Sequence, residues 1–200
     1  PIAEAAGAFL AGLAAFGVAG CVKHFPGLGR AAVDSHLSLP RLDGNPAELA
    51  ADLVPFRALA SVAPAVVISH AAVGAAGRPA TLDPAIAGGL LRETAGVRGL
   101  AVSDDLEMGA LAAFGGIPER AAAALSAGCD LLCVGKETAA LPDAAAAVEA
   151  GVSATRREQA AGRIAVFRTE LARLRRDRRL AARPVDEIAA AFRRASERLA

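Results

Sequence analysis

Apolar positions along this chain gather into four short, nearly continuous runs, at residues 18–22, 65–68, 99–102 and 129–134. None shows the in–out alternation of a half-exposed strand, so each predicts a parallel strand buried on both faces. Amphipathic or helix-capped stretches separate them. Phe9, Leu13 and Phe16 recur at i, i+4 and i+7 and predict a helix over residues 3–16 that ends at Gly17. Asn45-Pro46 and Asp83-Pro84 each supply an N-cap followed by proline at the first helical position, opening helices that run to about Leu59 and Thr94. Pro118 opens another to about Ala127, and further helices are expected near residues 137–150, 154–176 and 186–199. Strand and helix alternate, which predicts an α/β fold around a parallel sheet.

Polar residues follow directly on the strands: Lys23-His24, Ser69-His70, Ser103-Asp104 and Gly135-Lys136. The carboxyl ends of parallel strands are where barrels and doubly wound sheets place their chemistry. No GxGxxG or GxxxxGK[ST] loop is present, which argues against a nucleotide-binding sheet. Four strand–helix units are half the number in a (β/α)8 TIM barrel.

Composition narrows the classes. A hydrophobic content of 54% excludes a disordered chain, and with seven Phe and neither Tyr nor Trp the core must be built from small aliphatic side chains. No apolar run reaches the ~18 residues of a membrane span. The net charge of +1 conceals a balance of −6 over residues 1–150 and +7 over residues 151–200. No aromatic residues interleave with the terminal arginines as stacking platforms, so solvated helix faces are expected there and not nucleic-acid binding. Cys21, Cys129 and Cys133 lack the spacing of a disulfide framework or a histidine partner for zinc, and are expected to be buried small hydrophobes. The chain begins at Pro1 and enters a helix at once, which reads as a fragment; a missing signal peptide therefore carries no information on location.

Two clusters could carry chemistry. Asp104 and Asp105 follow the third strand, and successive residues on a strand point to opposite sides, so only one of them need face a cavity. That carboxylate could attack or stabilise an anomeric carbon, or the pair could cap a helix or bind an arginine. In Asp34-Ser35-His36 the carboxylate can fix the tautomer of the imidazole two residues on, making a general acid/base. Asp-Ser-His is also an ordinary surface-loop sequence. Pro26, Gly27 and Gly29 suit a sharply bent loop between Lys23-His24 and this element. A Lys just past a buried strand needs a partner or a cavity, whereas His24 and His70 could equally be hydrogen-bonded core histidines.

Taken in order, Lys23-His24-Phe25-Pro26-Gly27-Leu28-Gly29, Asp34-Ser35-His36 and Ser103-Asp104-Asp105-Leu106-Glu107-Met108 resemble the active-site motifs of glycoside hydrolase family 3, in its β-N-acetylglucosaminidase branch. Weaker likeness extends from Ala8-Phe9-Leu10 through Arg78-Pro79-Ala80-Thr81-Leu82 and Ala127-Gly128-Cys129-Asp130, and fades after about Arg163. The resemblance implies Asp104 as nucleophile, His36 as acid/base oriented by Asp34, and Lys23, His24 and His70 as substrate ligands. One position departs: the branch carries a second His in the Lys-His-Phe-Pro-Gly run where this chain has Leu28, outside the implied dyad. The implied fold is a (β/α)8 TIM barrel, of which residues 1–153 would be the carboxyl-terminal four units and residues 154–200 helices packing on or trailing them. The missing partner would then be the amino-terminal half of the barrel, which in the family supplies a sugar-binding Asp and Arg.

The implied activity is that of a retaining, exo-acting glycosidase that removes terminal β-linked N-acetylglucosamine from cell-wall fragments or other small glycosides. It needs no metal and no organic cofactor. A glycoside phosphorylase of the same branch, or a non-catalytic carbohydrate-binding fragment, would be built from the same motifs. Location stays open, with the cytoplasm favoured.

Overall fold

The computed structural model describes residues 1–74 and 77–177. Helix α1 (Ile2–Ala15) precedes strand β1 (Cys21–Phe25), and a short β2 (Arg41–Leu42) precedes α2 (Pro46–Leu59). Strand β3 (Ala65–Ile68) follows, then a short β4 (Ala72–Val73), a π-helix (Pro84–Thr94) and β5 (Leu100–Asp105). Helix α3 (Ile117–Ala127), β6 (Leu131–Cys133), α4 (Leu141–Gly151) and α5 (Ala154–Asp177) complete the described chain. The helix expected over residues 186–199 lies outside the described residues.

Four strands form one sheet in the order β1-β3-β5-β6, every pair parallel. Each new strand adds beside the previous one in the same direction. A doubly wound sheet would reverse its order at a switch point; this sheet does not. The short β2 and β4 pair in parallel as a separate ribbon above the strand ends, an element the sequence pattern did not suggest.

Local signals account for the helices. Asn45 accepts hydrogen bonds from the N–H groups of Ala47 and Glu48, both at 3.0 Å, while Glu48 accepts from the Asn45 N–H at 2.9 Å. This closes a capping box ahead of Pro46. Asp83 caps the next helix through the Ala85 N–H at 2.9 Å, but that helix winds with the wider π turn instead of the expected α turn. The core lies between the sheet and its helices: Phe25 meets Phe56 edge to face with ring centroids 5.2 Å apart, and Val66, Ile68, Leu91 and Ala101 are fully or almost fully buried.

Three expectations are corrected. Strand β1 begins at Cys21 and contains Lys23 and His24, which had been placed in the following loop. The predicted apolar face of α1 leaves Phe9 and Phe16 largely exposed, and Leu10 is the residue it buries. Of the cysteines only Cys129 is buried, its thiol pushed up to about 12 by desolvation. Cys21 and Cys133 are exposed, and their strands are the two edges of the sheet among the described residues. No helix among the described residues is long and apolar enough to cross a membrane.

Candidate active site

Strand register sets the site. Ile68 of β3 pairs with Ser103 of β5, so Asp104 stands one residue beyond the end of the neighbouring strand. His24 comes from β1, two strands away, and parallel neighbours lie about 4.8 Å apart. Its side chain leans across the end of β3 and brings Nε2 to 3.7 Å from Asp104 Oδ2. Both side chains remain partly open to solvent, at 26% and 21%. Burial is the main cause that holds the His24 pKa down, against the pull of Asp104; charges on Lys23 and His36 add to the depression. Lys23, next to it on β1, is exposed.

The two adjacent acids have separate tasks. Asp104 Oδ1 accepts the Asp105 N–H at 3.0 Å, which leaves Oδ2 facing His24. Asp105 is half-buried, and its Oδ1 accepts from the N–H groups of Glu107 at 3.1 Å and Gly135 at 3.2 Å. Glu107 in turn accepts from the backbone N–H groups of Lys136 and Glu137. Arg120 donates to the Leu106 carbonyl at 2.7 Å and the Gly115 carbonyl at 2.8 Å. The turn that follows Asp104 is therefore fastened to the loop after β6 and to α3. These ties were not legible in the sequence, because each joins residues that only the sheet brings together.

His36 and Asp34 form the expected pair. Asp34 Oδ1 accepts the His36 backbone N–H at 2.8 Å and lies 2.7 Å from its Nδ1. A carboxylate only accepts, so the Nδ1 proton points at Asp34 and Nε2 is left free for a reacting group. The backbone N–H bond, reinforced by the ring contact, holds the Asp34 carboxyl below its ordinary range. Both side chains are exposed. The base of their loop rests on the turn after Asp104: the Gly109 N–H donates to the His36 carbonyl at 3.0 Å, and the Ala110 N–H to the Ser35 carbonyl at 3.1 Å. On the other side, Arg30 donates to Asp52 of α2 at 2.8 Å.

His70 does not take the expected place of a substrate ligand. It is fully buried, with Nε2 2.8 Å from the Asp105 carbonyl and Nδ1 2.9 Å from the Thr81 hydroxyl. A carbonyl only accepts, so Nε2 donates to Asp105, while the Thr81 hydroxyl beside Nδ1 donates to the Ser69 carbonyl at 2.6 Å. The imidazole braces the end of β5 from inside the fold. Burial is the leading cause of its lowered pKa, outweighing the raising effect of the Asp105 carbonyl and the two acids.

A pH dependence follows. A histidine whose folded pKa is depressed below the ordinary value of about 6.5 stabilises the fold fully above that value, and the contribution is lost as pH falls from there through the depressed folded value. Thermal melts should show a drop as pH falls below about 6.5, and His70→Gln should flatten that drop while leaving the contribution of His24. Parallel curves for both proteins would clear His70 of responsibility.

No cluster of three or more His, Cys, Asp or Glu side chains suited to a metal occurs among the described residues.

Residues 2–167 match the family model described as the glycosyl hydrolase family 3 N terminal domain. That match is to the family's N-terminal domain, which corrects the expectation of a carboxyl-terminal half. The chain is 42% identical over 137 residues to a β-hexosaminidase of Alkalilimnicola ehrlichii, covering 67% of this chain and 39% of that protein. It is 37% identical over 145 residues to one of Thioalkalivibrio sulfidiphilus, covering 66% and 39%. Among solved structures, the family 3 β-N-acetylglucosaminidase of a Paenibacillus species superposes with a TM-score of 0.78 at 37% identity, over 85% of this chain and 34% of that one. The chain thus spans about two fifths of the length of the curated relatives it matches.

Proposed function

Because the chain belongs to the glycosyl hydrolase family 3 N-terminal domain family, we propose that it carries the acid/base and nucleophile of a retaining β-N-acetylglucosaminidase. One observation carries the reading. A solvent-reachable carboxylate at a strand's carboxyl end, Asp104, shares a turn with the backbone dock of an exposed Asp34–His36 pair. Asp104 attacks the anomeric carbon as the glycosidic bond breaks, and His36 Nε2 delivers a proton to the departing oxygen. In the second half, His36 takes a proton from water, whose oxygen displaces Asp104 from the sugar. Asp34 keeps the Nδ1 proton in place and stabilises the imidazolium in both halves. Lys23 and His24, exposed and half-buried beside Asp104, bind sugar hydroxyls.

The unreversed strand order supports an arc of a (β/α)8 barrel, whose remaining strands would pair with the free edges of β1 and β6. Residues 1–153 would form that arc, with the helix Ala154–Asp177 packed on it. Terminal N-acetylglucosamine of small glycosides, including cell-wall fragments, is the substrate class.

The test is the leaving group. In the enzyme that carries this chain, His36→Ala should lower kcat/KM by roughly 10²–10⁴-fold on alkyl or sugar glycosides, the usual contribution of a positioned proton donor. On activated nitrophenyl glycosides, which depart with little protonation, the loss should be slight. Equal losses on both classes would reduce His36 to a binding or structural residue. Free N-acetylglucosamine, and no sugar 1-phosphate, is the product expected in phosphate buffer.

A further inference from the structure

We propose that Gly109 is a positioning residue for the acid/base, holding the Asp34–His36 loop beside the nucleophile through backbone contact alone. The inference rests on the glycosidase reading above and adds the device that sets its geometry.

The loop has little packing of its own. Asp34, Ser35-His36-Leu37 and Val33 are mostly exposed, Leu37 at 80%, and the turn inside it is closed by the Asp34 carbonyl, which accepts from the N–H groups of Leu37 and Ser38, both at 3.0 Å. Among the described residues, its backbone is anchored from outside by the bonds from the Gly109 and Ala110 N–H groups to the carbonyls of His36 and Ser35. Gly109 follows Asp104 in the turn already fastened by Asp105, Glu107 and Arg120, so nucleophile and dock move as one piece.

Glycine at this position is not explained by its own backbone. Gly109 is not among the residues with positive φ, so an alanine could adopt its conformation. What a side chain could not do is fit. A Cβ at residue 109 would lie 2.6 Å from the His36 carbonyl oxygen and 2.7 Å from that of Leu37. Both are backbone atoms of the acid/base loop, and neither can rotate away. The loop itself would have to lift, carrying His36 with it. A misplacement of even about 1 Å in a catalytic group can cost 10²-fold in rate, and here the affected group is the proton donor and not the nucleophile.

The test is Gly109→Ala in the enzyme that carries this chain, compared on the same two substrate classes. Expected is a loss of roughly 10–100-fold in kcat/KM on alkyl glycosides, with activated nitrophenyl glycosides nearly unaffected and no added loss when His36→Ala is already present. Losses of the same size on both classes, or a further loss on top of His36→Ala, would overturn the proposal. A second measurement covers a variant that folds poorly: in the unsubstituted protein the amides of Gly109 and Ala110 should exchange more slowly than those of Ala32 and Val33. Rapid exchange at both would mean that the dock does not hold in solution. If the unsubstituted protein cleaves neither substrate class, the glycosidase reading fails, and the exchange result by itself then decides whether the loop is docked at Gly109.

Discussion

Asp104→Asn should leave a folded protein that no longer turns over. The asparagine keeps the shape of the side chain and an oxygen to accept the Asp105 N–H at 3.0 Å. It removes the negative charge that faces His24 and that would form the bond to the sugar. Loss of the nucleophile removes both halves of a double displacement, so the effect should exceed the ~10²–10⁴-fold of a lost proton donor. Asp105→Asn makes the contrast. It too keeps an oxygen for the N–H groups of Glu107 and Gly135, and it removes no group assigned to attack, so its effect should be much milder and turnover should survive. Intact-mass and peptide analysis after trapping with a fluorinated sugar should find the adduct on Asp104. An adduct on Asp105 would overturn the assignment.

The largest effect on stability is expected at the opposite end of the sheet, from Asp130→Ala. Asp130 precedes β6 and its carboxylate is inaccessible to solvent. It accepts from Arg92 at 2.6 Å, Arg156 at 2.9 Å and Arg163 at 3.1 Å, and from the Ala101 N–H at 3.0 Å. One acid therefore ties the π-helix, β5 and α5 to β6. Alanine would leave three guanidinium groups facing one another at the foot of the sheet, two of them mostly buried. Removing one partner of a buried ion pair costs about 3–5 kcal/mol, equivalent to a fall of roughly 6–20 °C in melting temperature for a domain of this size. Urea unfolding of the chain would measure it. A change under about 1 kcal/mol would show that Asp130 does not hold these elements together. The site at the other end of β5 lies beyond direct reach, so any loss of activity should track loss of folded protein.

Much of the fold was legible because its signals are local. Nearly continuous apolar runs marked β1, β3, β5 and β6 to within a few residues, and proline following Asn45 or Asp83 marked helix starts, because a cap and its helix lie within one turn of chain. The misread elements depended on neighbours. The exposed Phe9 and Phe16 have an amphipathic spacing, but which face of α1 is covered depends on what packs beside β1. Cys21 and Cys133 sit in runs as apolar as that of Cys129 and are exposed, on the two strands that edge the sheet among the described residues.

The sequence by itself determined the chemistry available: Asp104 at the end of one strand, His24 near the end of another, and Asp34 and His36 two residues apart, a spacing short enough for the chain to form the pair unaided. Only the tertiary structure decided how these groups divide the work. Strand register turned Asp104 toward His24 and Asp105 toward the amides of Glu107 and Gly135, burial made His70 a brace for β5, and parallel pairing brought Glu107 to the backbone of Lys136. Asp130 and its three arginines lie 26 to 38 residues apart in the chain. Contacts of that span are set by which strands pair and which helices cover them, and no local pattern encodes the distances at which they meet.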